Sequence, residues 1–147
     1  MTNEIDFIER EVRITAHAET IFPLLIDPDQ IIRWMGVAAN LDARPGGNFR
    51  VNVTGQDITS GSFVDVSPFS RVVFTWGWES EDTMVTPGTS TVEIILVEEG
   101  DTTALRLRHS GLPELDRESH GMGWDHYLAR LMIAATDGDP GPDPWKI

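Results

Sequence analysis

Residues 114–136 read ELDRESHGMGWDHYLARLMIAAT, and apolar side chains recur in this segment at intervals of three and four residues. An α-helix has about 3.6 residues per turn, so side chains with this spacing share one face. The segment therefore predicts a long amphipathic helix that packs its apolar face against a sheet. The residues predicted to form this face are Leu115, Trp124, Leu128, Leu131, Met132 and Ala135.

The region before this helix, residues 37–110, has the alternation of apolar and polar side chains that is typical of strands. Turn signals such as Pro45-Gly46-Gly47 and Gly100-Asp101 separate the alternating runs. Short turns between neighbouring strands predict an antiparallel meander. The side chains predicted to point inward include Val72, Phe74, Trp76 and Trp78, then Val92, Ile94 and Leu96, then Leu105, Leu107 and His109.

The amino-terminal part supplies one strand and two short helices. Residues 5–15 end in strand-like alternation, and residues 18–26 have helical spacing. A second helix begins at Asp27-Pro28, with Asp27 as its cap, and ends at Gly36. The predicted fold class is α+β, a curved antiparallel sheet wrapped around a long carboxy-terminal helix, with two short helices after the first strand.

Composition argues against several classes of function. The chain of 147 residues has 11 Lys and Arg against 24 Asp and Glu, a net charge of −13 with neutral histidines. This charge repels nucleic-acid backbones and anionic membranes, so neither is an expected partner. Cysteine is absent, which excludes disulfides and thiolate metal sites, and no metal or other cofactor is predicted.

Length and composition also predict the domain organisation and the compartment. We expect a single domain in residues 1–136, followed by an extended, mobile tail in the acidic, Pro- and Gly-rich residues 137–147. The amino end has no secretory signal pattern, and no apolar run approaches the ~18 residues that cross a bilayer. We therefore expect a cytoplasmic protein, either a monomer or a homodimer paired through an exposed sheet edge.

The order of elements and several local strings resemble the START-like (SRPBCC) superfamily, and within it most of all the Activator of Hsp90 ATPase homologue 1-like group. The strings follow one another through residues 5–135. They are AHAETIF (16–22), Asp27-Pro28 with Trp34, PGGNFRV (45–51), SPFSRVVFTW (67–76), TVEI (91–94), LRLRHSGLP (105–113) and HGMGW (120–124). The resemblance implies a helix-grip fold, in which the sheet and the carboxy-terminal helix enclose a pocket. It does not fix the function, because one fold carries many ligands.

Four tryptophans, Trp34, Trp76, Trp78 and Trp124, lie on faces that are predicted to point inward. Such side chains either line a pocket for an apolar ligand or fill the core, and both interpretations stay open. Because Trp76 and Trp78 lie two residues apart at the end of a strand, we expect at least one of them to line a cavity. The other predicted pocket residues are Phe63 and Met84 at the mouth, Leu128 on the helix, and His109 and His120.

The histidines divide into two predicted groups. His109 completes the inward face of its strand and His120 lies one turn before Trp124, so both could reach the cavity. There a histidine can orient a polar ligand group or act as a general base, and a structural, hydrogen-bonded role is the alternative. His17 and His126 are predicted at the surface, and His126 is six residues from His120, a spacing unsuited to a chelating pair.

Three further residues near the start of the helix each have two possible structural interpretations. Gly121 and Gly123 each cost a helix about 1 kcal/mol relative to alanine. They predict either cavity space beneath the helix or close packing of the helix on the sheet. Asp116, one turn before His120, predicts either an acid–base pair with that histidine or a solvated interaction at the start of the helix, and the second is favoured.

The leading functional prediction is the binding of a small hydrophobic or aromatic molecule between the sheet and the carboxy-terminal helix. The resemblance also implies an alternative, an enzyme like the superfamily's polyketide cyclases and aromatases, with His109 or His120 as its acid–base residue. The sequence contains no complete catalytic constellation, since it has neither a nucleophile elbow nor a zinc motif. The chaperone-activating role in the group's name ranks last, because we expect the chain to lack the additional amino-terminal domain of the eukaryotic activators.

Overall fold

A seven-stranded antiparallel sheet curves around one long helix in the computed structural model, which describes residues 7–136 and 138–147. In chain order the elements are β1 (Phe7–Ile14), α1 (Ala18–Ile26), α2 (Pro28–Ile31), β2 (Ala38–Leu41), β3 (Asn48–Asn52), β4 (Ile58–Ser67), β5 (Arg71–Trp76), β6 (Ser90–Glu99), β7 (Thr102–Ser110) and α3 (Glu114–Thr136). The fold class and the order of elements predicted from the sequence are confirmed. The first two residues of the predicted first strand, Ile5 and Asp6, lie outside the described residues.

The strands are hydrogen-bonded in the order β1-β7-β6-β5-β4-β3-β2, and every neighbouring pair is antiparallel. The inward side chains of β6 and β7 meet in register, with Val92 opposite His109 and Ile94 opposite Leu107. Each of these side chains is at most 1% exposed. The predicted alternation along β6 and β7 is therefore confirmed, and it turns one face of the sheet towards the core.

The far half of the sheet bends over this apolar face. β4 shifts its register against β5 between Phe63 and Asp65, and such a bulge bends a strand and increases its twist. Gly61, in the same strand, lies so close to β5 that a Cβ atom there would collide with the Thr75 carbonyl. The bulge and the close approach give β3 and β4 the curvature that a cavity above the sheet requires.

Helix α2 begins as predicted and ends early. The Asp27 carboxylate accepts the N–H of Asp29 at 2.8 Å, and Pro28 occupies the first helical position. The helix ends at Ile31, and the chain continues through turns to Gly36. Gly36 has a φ of 95°, a conformation that glycine adopts without the steric cost of a side chain.

Helix α3 covers the sheet, and Trp124, Leu128 and Leu131 are buried as predicted. Leu115 is 95% exposed, so its assignment to the apolar face is wrong. Periodicity gives the direction of a side chain but not the presence of a packing partner, and the first helical turn has none for Leu115. The buried residues of α3 are Gly121, Trp124, Tyr127, Leu128, Leu131 and Ala134. No helix in the described parts of the chain has the length and apolarity to span a membrane.

Residues 138–147 fold back along α3. The Asp143 Oδ1 atom lies 2.8 Å from Nε2 of His126, and the Trp145 ring stacks on the His126 imidazole with 3.9 Å between ring centroids. His126, predicted at the surface, is therefore largely covered by the tail. Its side chain keeps only 17% exposure.

The end of the tail is also tied to the sheet. The backbone N–H of Ile147 donates to the Thr54 carbonyl in the β3–β4 turn at 2.7 Å. The sequence predicted an extended, mobile tail. In the structure, Asp143 and Ile147, at the two ends of its last five residues, are hydrogen-bonded to the rest of the domain. An acidic, Pro-rich composition describes local stiffness and polarity, but it does not reveal distant hydrogen-bond acceptors. Asp137, the first residue of the predicted tail, lies outside the described residues.

Candidate functional site

A cavity of about 600 Å³ lies between the sheet, the first half of α3 and the loop that joins β5 to β6. This volume is within the range of pockets that hold drug-sized ligands. The aromatic and apolar residues of the lining are Met35, Val53, Trp76, Trp78, Met84, Gly123, Trp124, Tyr127 and Trp145. His120 lines the cavity as well. The polar lining consists of Thr54, Asp57, Ser80, Asp82, Thr83, Asp116 and Ser119.

Several residues of the sequence-predicted pocket line this cavity: Trp76, Trp78, Met84, His120 and Trp124. Trp76 ends β5, and Trp78 and Met84 belong to the loop that follows it. His120 and Trp124 lie one turn apart on α3 and face this loop. Met84 is 77% exposed, which puts it at the mouth.

The other residues predicted for the pocket, Trp34, Phe63, His109 and Leu128, are not among the lining side chains. Each is at most 2% exposed and is packed in the core. Trp34 donates its indole N–H to the Leu24 carbonyl at 2.7 Å, and Phe63 packs edge-on against neighbouring phenylalanines instead of narrowing the mouth. Alternation identifies the inward face of a strand, but it does not tell whether that face meets a void or another side chain.

His120 is held by both of its ring nitrogens. Nδ1 donates to the Asp116 carbonyl at 2.7 Å, and Nε2 accepts the indole N–H of Trp78 at 3.0 Å. Burial lowers the pKa of His120, although the Asp116 carbonyl and carboxylate partly oppose this effect. The imidazole is therefore neutral near pH 7, with its lone pair occupied. The predicted interaction with Asp116 exists, but it uses the backbone carbonyl.

His109 belongs to a buried chain of hydrogen bonds behind the cavity wall. Trp124 donates its indole N–H to Nδ1 of His109 at 3.0 Å, which leaves Nε2 as the protonated nitrogen. Nε2 lies 2.8 Å from Oγ of Ser90, and that hydroxyl donates to the Trp76 carbonyl at 2.8 Å. Burial, together with the charge of nearby His120, lowers the pKa of His109 to about 3. His109 thus fixes the position of one cavity tryptophan without touching the cavity.

The two glycines of α3, Gly121 and Gly123, have different surroundings. One fits close packing of the helix on the sheet, and the other fits cavity space beneath the helix. A Cβ atom on Gly121 would lie 2.6 Å from Nη2 of Arg10, so close packing against β1 accounts for this glycine. A Cβ atom on Gly123 would meet nothing within 4 Å, and Gly123 lines the cavity. Gly123 therefore provides space beneath the helix.

One buried donor beside the cavity, the indole nitrogen of Trp76, has no hydrogen-bond acceptor among the described residues. The hydroxyl of Tyr127 lies beside the Asp143 carboxylate, which acts on it through a hydrogen bond as well as through its charge. Trp76 is 3% exposed and Tyr127 is 5% exposed. Burial, reinforced by the charge of Asp143, raises the pKa of Tyr127, which keeps its hydroxyl protonated at neutral pH. Both donor atoms are enclosed by the protein, so a molecule in the cavity does not reach them.

Sequence reasoning missed Tyr127 and Trp145 as lining residues. Tyr127 follows Trp124 by three positions, so the helical period that identified Trp124 contained the signal for it as well. Trp145 reaches the cavity only because the tail docks on His126, and nothing local in the sequence predicts that contact. In the part of the chain that the structure describes, no group of three or more His, Asp or Glu side chains could hold a metal ion.

The sequence matches the family model of Activator of Hsp90 ATPase homolog 1-like protein over residues 15–135. This match covers most of the chain and the greater part of both cavity walls. The resemblance found in the sequence is confirmed. No curated protein matches the sequence significantly.

Solved structures similar to this chain come from several bacteria. An AHSA1-like protein from Rhizobium etli is 45% identical, with 94% of this chain and 86% of that chain covered and a TM-score of 0.75. CalU16 from Micromonospora echinospora is 31% identical, with 92% and 77% covered and a TM-score of 0.74. DynU16, a protein in the dynemicin biosynthetic locus, is 22% identical with a TM-score of 0.81, which concerns the fold alone. The match with DynU16 covers 93% of this chain. It covers 49% of DynU16, so this chain spans about half the length of that protein.

Proposed function

This chain belongs to the Activator of Hsp90 ATPase homolog 1-like family, and we propose that it binds a small, largely apolar or aromatic molecule between its sheet and α3. The observation that carries the proposal is the cavity of about 600 Å³ with four tryptophans in its wall. Trp76, Trp78, Trp124 and Trp145 offer large, rigid faces for stacking. Hydroxyls and carboxylates around them can fix the orientation of a polar group on the ligand.

The architecture holds this aromatic wall in place before any ligand arrives. Trp78 is hydrogen-bonded to His120, and Trp124 is hydrogen-bonded to His109. Trp145 is stacked on His126. A preorganised site loses less side-chain entropy on binding, and this favours a ligand-binding role for the cavity.

A cyclase-like or aromatase-like reaction would need an acid–base residue with a free lone pair or an acidic proton in the cavity. The lone pair of His120 accepts from Trp78, and the lone pair of His109 accepts from Trp124. These hydrogen bonds give both histidines a positioning role, so neither fits the acid–base residue of the cyclase-like alternative, and binding is the function that we propose. We likewise do not extend the chaperone activity in the family's description to this chain, since the cavity gives no argument for it.

The test uses the five tryptophans as reporters. The protein is labelled with 5-fluorotryptophan, its ¹⁹F resonances are assigned by single Trp→Phe variants, and it is titrated with naphthalen-1-ylmethanol. We expect the resonances of Trp76, Trp78 and Trp124 to shift with one dissociation constant. Trp34, buried away from the cavity, is the internal control and should stay in place. Mass spectrometry of molecules released from the denatured, freshly purified protein would identify a ligand carried from the cell.

Two results would contradict the proposal. In one, no resonance shifts at millimolar ligand. In the other, the resonance of Trp34 moves as far as those of the lining tryptophans, which would indicate a change throughout the core. A stoichiometric ligand in the extract would support the proposal independently of the chosen probe.

A further inference from the structure

A buried hydroxyl lies where the sheet passes into the β5–β6 loop. Ser90 begins β6 and pairs across the two strands with Trp76, the last residue of β5. The inward side chains of β6 are Ser90, Val92, Ile94 and Leu96, and the last three are apolar. Ser90 is 1% exposed and does not line the cavity, so its hydroxyl serves contacts within the protein.

This hydroxyl joins two walls of the cavity. Oγ of Ser90 donates to the Trp76 carbonyl at 2.8 Å, and the same oxygen lies 2.8 Å from Nε2 of His109. Nδ1 of His109 accepts the indole N–H of Trp124 at 3.0 Å. The hydrogen bonds therefore run from α3 through β7 and β6 to the end of β5, and Ser90 connects the histidine of β7 to β5.

The donors of this chain of hydrogen bonds follow one direction. Because Trp124 uses the lone pair of Nδ1, His109 carries its proton on Nε2 and donates it to the Ser90 oxygen. The Ser90 hydroxyl in turn donates its own hydrogen to the Trp76 carbonyl. The hydroxyl thus supports the tautomer of His109 that leaves Nδ1 free for Trp124. With its proton on Nδ1, His109 would offer Trp124 no acceptor.

The rings that these hydrogen bonds hold lie close to one another. The indole rings of Trp76 and Trp124 have centroids 5.2 Å apart, and the His109 imidazole lies 5.6 Å from the first and 6.1 Å from the second. Both tryptophans line the cavity, whereas His109 and Ser90 do not. A rotation of Trp124 would therefore change the shape of the wall against which an aromatic ligand packs.

Burial gives the loss of this hydroxyl a consequence at the other end of the chain of hydrogen bonds. His109 is fully buried, and its Nε2–H group would lose the acceptor that the structure shows for it. A buried donor without an acceptor costs free energy. The imidazole avoids this cost when its proton moves to Nδ1, but the bond from Trp124 is then lost.

We propose that Ser90 is a positioning residue of the binding site: its hydroxyl sets the tautomer of His109, and through it the orientation of Trp124 against Trp76. This proposal goes beyond the proposed function and rests on it, since it concerns affinity for the same apolar or aromatic ligand. Ser90 acts without touching the ligand. The affinity of the cavity therefore depends on a residue outside its lining.

The test compares Ser90→Ala with a matched variant, Thr103→Val. Thr103 is also buried in the sheet and outside the lining, and its hydroxyl donates to the Ala16 carbonyl at 2.7 Å. Each variant removes one buried hydroxyl, so both should lower the free energy of unfolding in urea. Isothermal titration calorimetry measures the affinity for naphthalen-1-ylmethanol. We expect Ser90→Ala to bind about three- to tenfold more weakly than the parent, and Thr103→Val to bind as the parent does.

Long-range ¹H–¹⁵N NMR spectra provide a readout that a general loss of stability does not move. In Ser90→Ala, we expect a population of His109 with its proton on Nδ1 and a shifted indole ¹⁵N resonance for Trp124. Thr103→Val should keep both signals of the parent. Ser90→Cys retains a weak donor and acceptor, so its affinity should lie between those of the parent and Ser90→Ala. This variant replaces Ser90→Ala if the latter folds poorly.

Three results would overturn the role of Ser90 and leave the proposed function standing, because the parent still binds the probe in each. The first is an unchanged affinity in the Ser90 variant. The second is an equal loss of affinity in Thr103→Val, which would show that affinity follows stability alone. The third is an unchanged tautomer of His109 in the Ser90 variant. If the parent protein does not bind naphthalen-1-ylmethanol, the proposed function fails, and the role of Ser90 in binding fails with it.

Discussion

Trp78 donates its indole N–H to Nε2 of His120 at 3.0 Å, and this bond joins the β5–β6 loop to α3 across the cavity. Trp124 makes the equivalent bond to Nδ1 of His109, also at 3.0 Å. Each histidine thus offers its lone pair to a cavity tryptophan, which only a neutral imidazole can do. The two histidines predicted as pocket groups act on the cavity through the rings that they hold.

Opposite tautomers are expected for these two histidines. Nδ1 of His120 donates to the Asp116 carbonyl, so its proton is on Nδ1. His109 accepts on Nδ1 and faces the Ser90 hydroxyl with Nε2, so its proton is on Nε2. Long-range ¹H–¹⁵N NMR spectra distinguish the two forms. In Trp78→Phe, the Nε2 shift of His120 should change while the His109 signals stay, and a shared tautomer would contradict the network.

Stability should decrease as the pH falls from about 6.5 towards 3. Burial lowers the pKa of His109 to about 3, whereas an unfolded histidine titrates near 6.5. Between these values the unfolded chain binds a proton that the folded chain does not, so the free energy of unfolding rises with pH. One such proton corresponds to about 1.4 kcal/mol per pH unit. His120, whose pKa burial also lowers, acts in the same direction.

Urea unfolding at several pH values between about 5 and 7 measures how the free energy of unfolding changes with pH. Most carboxylates titrate below this range and therefore contribute little to the change. His109→Gln removes the titrating group. This variant should be less stable than the parent at neutral pH, because Trp124 loses its acceptor. Its unfolding should also take up about one proton fewer, so its free energy of unfolding should depend less steeply on pH. A slope equal to that of the parent would show that His109 is not the group responsible.

Filling the space beside Gly123 should separate stability from ligand binding. A Cβ atom there meets nothing within 4 Å, so Gly123→Ala should raise the free energy of unfolding by about 1 kcal/mol. Gly123→Leu should also fold, but its side chain occupies the cavity and should abolish binding of naphthalen-1-ylmethanol. Chemical unfolding and the ¹⁹F titration measure the two effects. Unimpaired binding by Gly123→Leu would contradict the location of the site.

Gly121→Ala is the matched control for the second glycine. Its Cβ atom would displace the guanidinium of Arg10, which pairs with Asp125 on the helix surface. We expect a smaller gain in stability than for Gly123→Ala, because the displaced ion pair offsets part of the helix propensity, and unchanged ligand binding. A loss of binding in Gly121→Ala would mean that the cavity extends further towards β1 than the structure shows.

The fold was largely predictable because its signals are local. The alternation in β6 and β7 and the helical period in α3 each depend on neighbours a few residues apart, and antiparallel pairing follows from short turns. Leu115 shows the limit of this reasoning, since its position fits the helical period but no other element reaches it. Helix α2 shows a second limit, because the apolar pattern predicted a helix that continues to Gly36, whereas the helix ends at Ile31.

The site was predictable only in part, for a different reason. The positions of Trp76, Trp124 and His120 followed from their faces, whereas Trp34 and His109 lie on inward faces too and are enclosed by the core. The difference between a core side chain and a cavity side chain is a void, and a void depends on the packing of many distant residues. Single-sequence patterns carry no measure of it.

The docked tail should contribute to ligand binding through Trp145. Its ring stacks on His126 and lines the cavity, so Trp145→Ala removes one aromatic wall while leaving the buried network of His109 untouched. An aromatic contact is worth about 0.5–1.5 kcal/mol beyond its area, which predicts a loss of affinity of about three- to tenfold. Titration with naphthalen-1-ylmethanol measures this loss. Trp145→Phe should recover part of it, because a smaller ring can still stack.

Ile147→Ala is the control for the tail as a whole. It keeps the backbone N–H that donates to Thr54, so the tail should remain docked and the affinity should stay near that of the parent. Equal losses in Trp145→Ala and Ile147→Ala would show that docking of the tail matters and that the Trp145 ring itself does not. An unchanged affinity in Trp145→Ala would remove the tail from the binding site, because the ring is the part of the tail that lines the cavity.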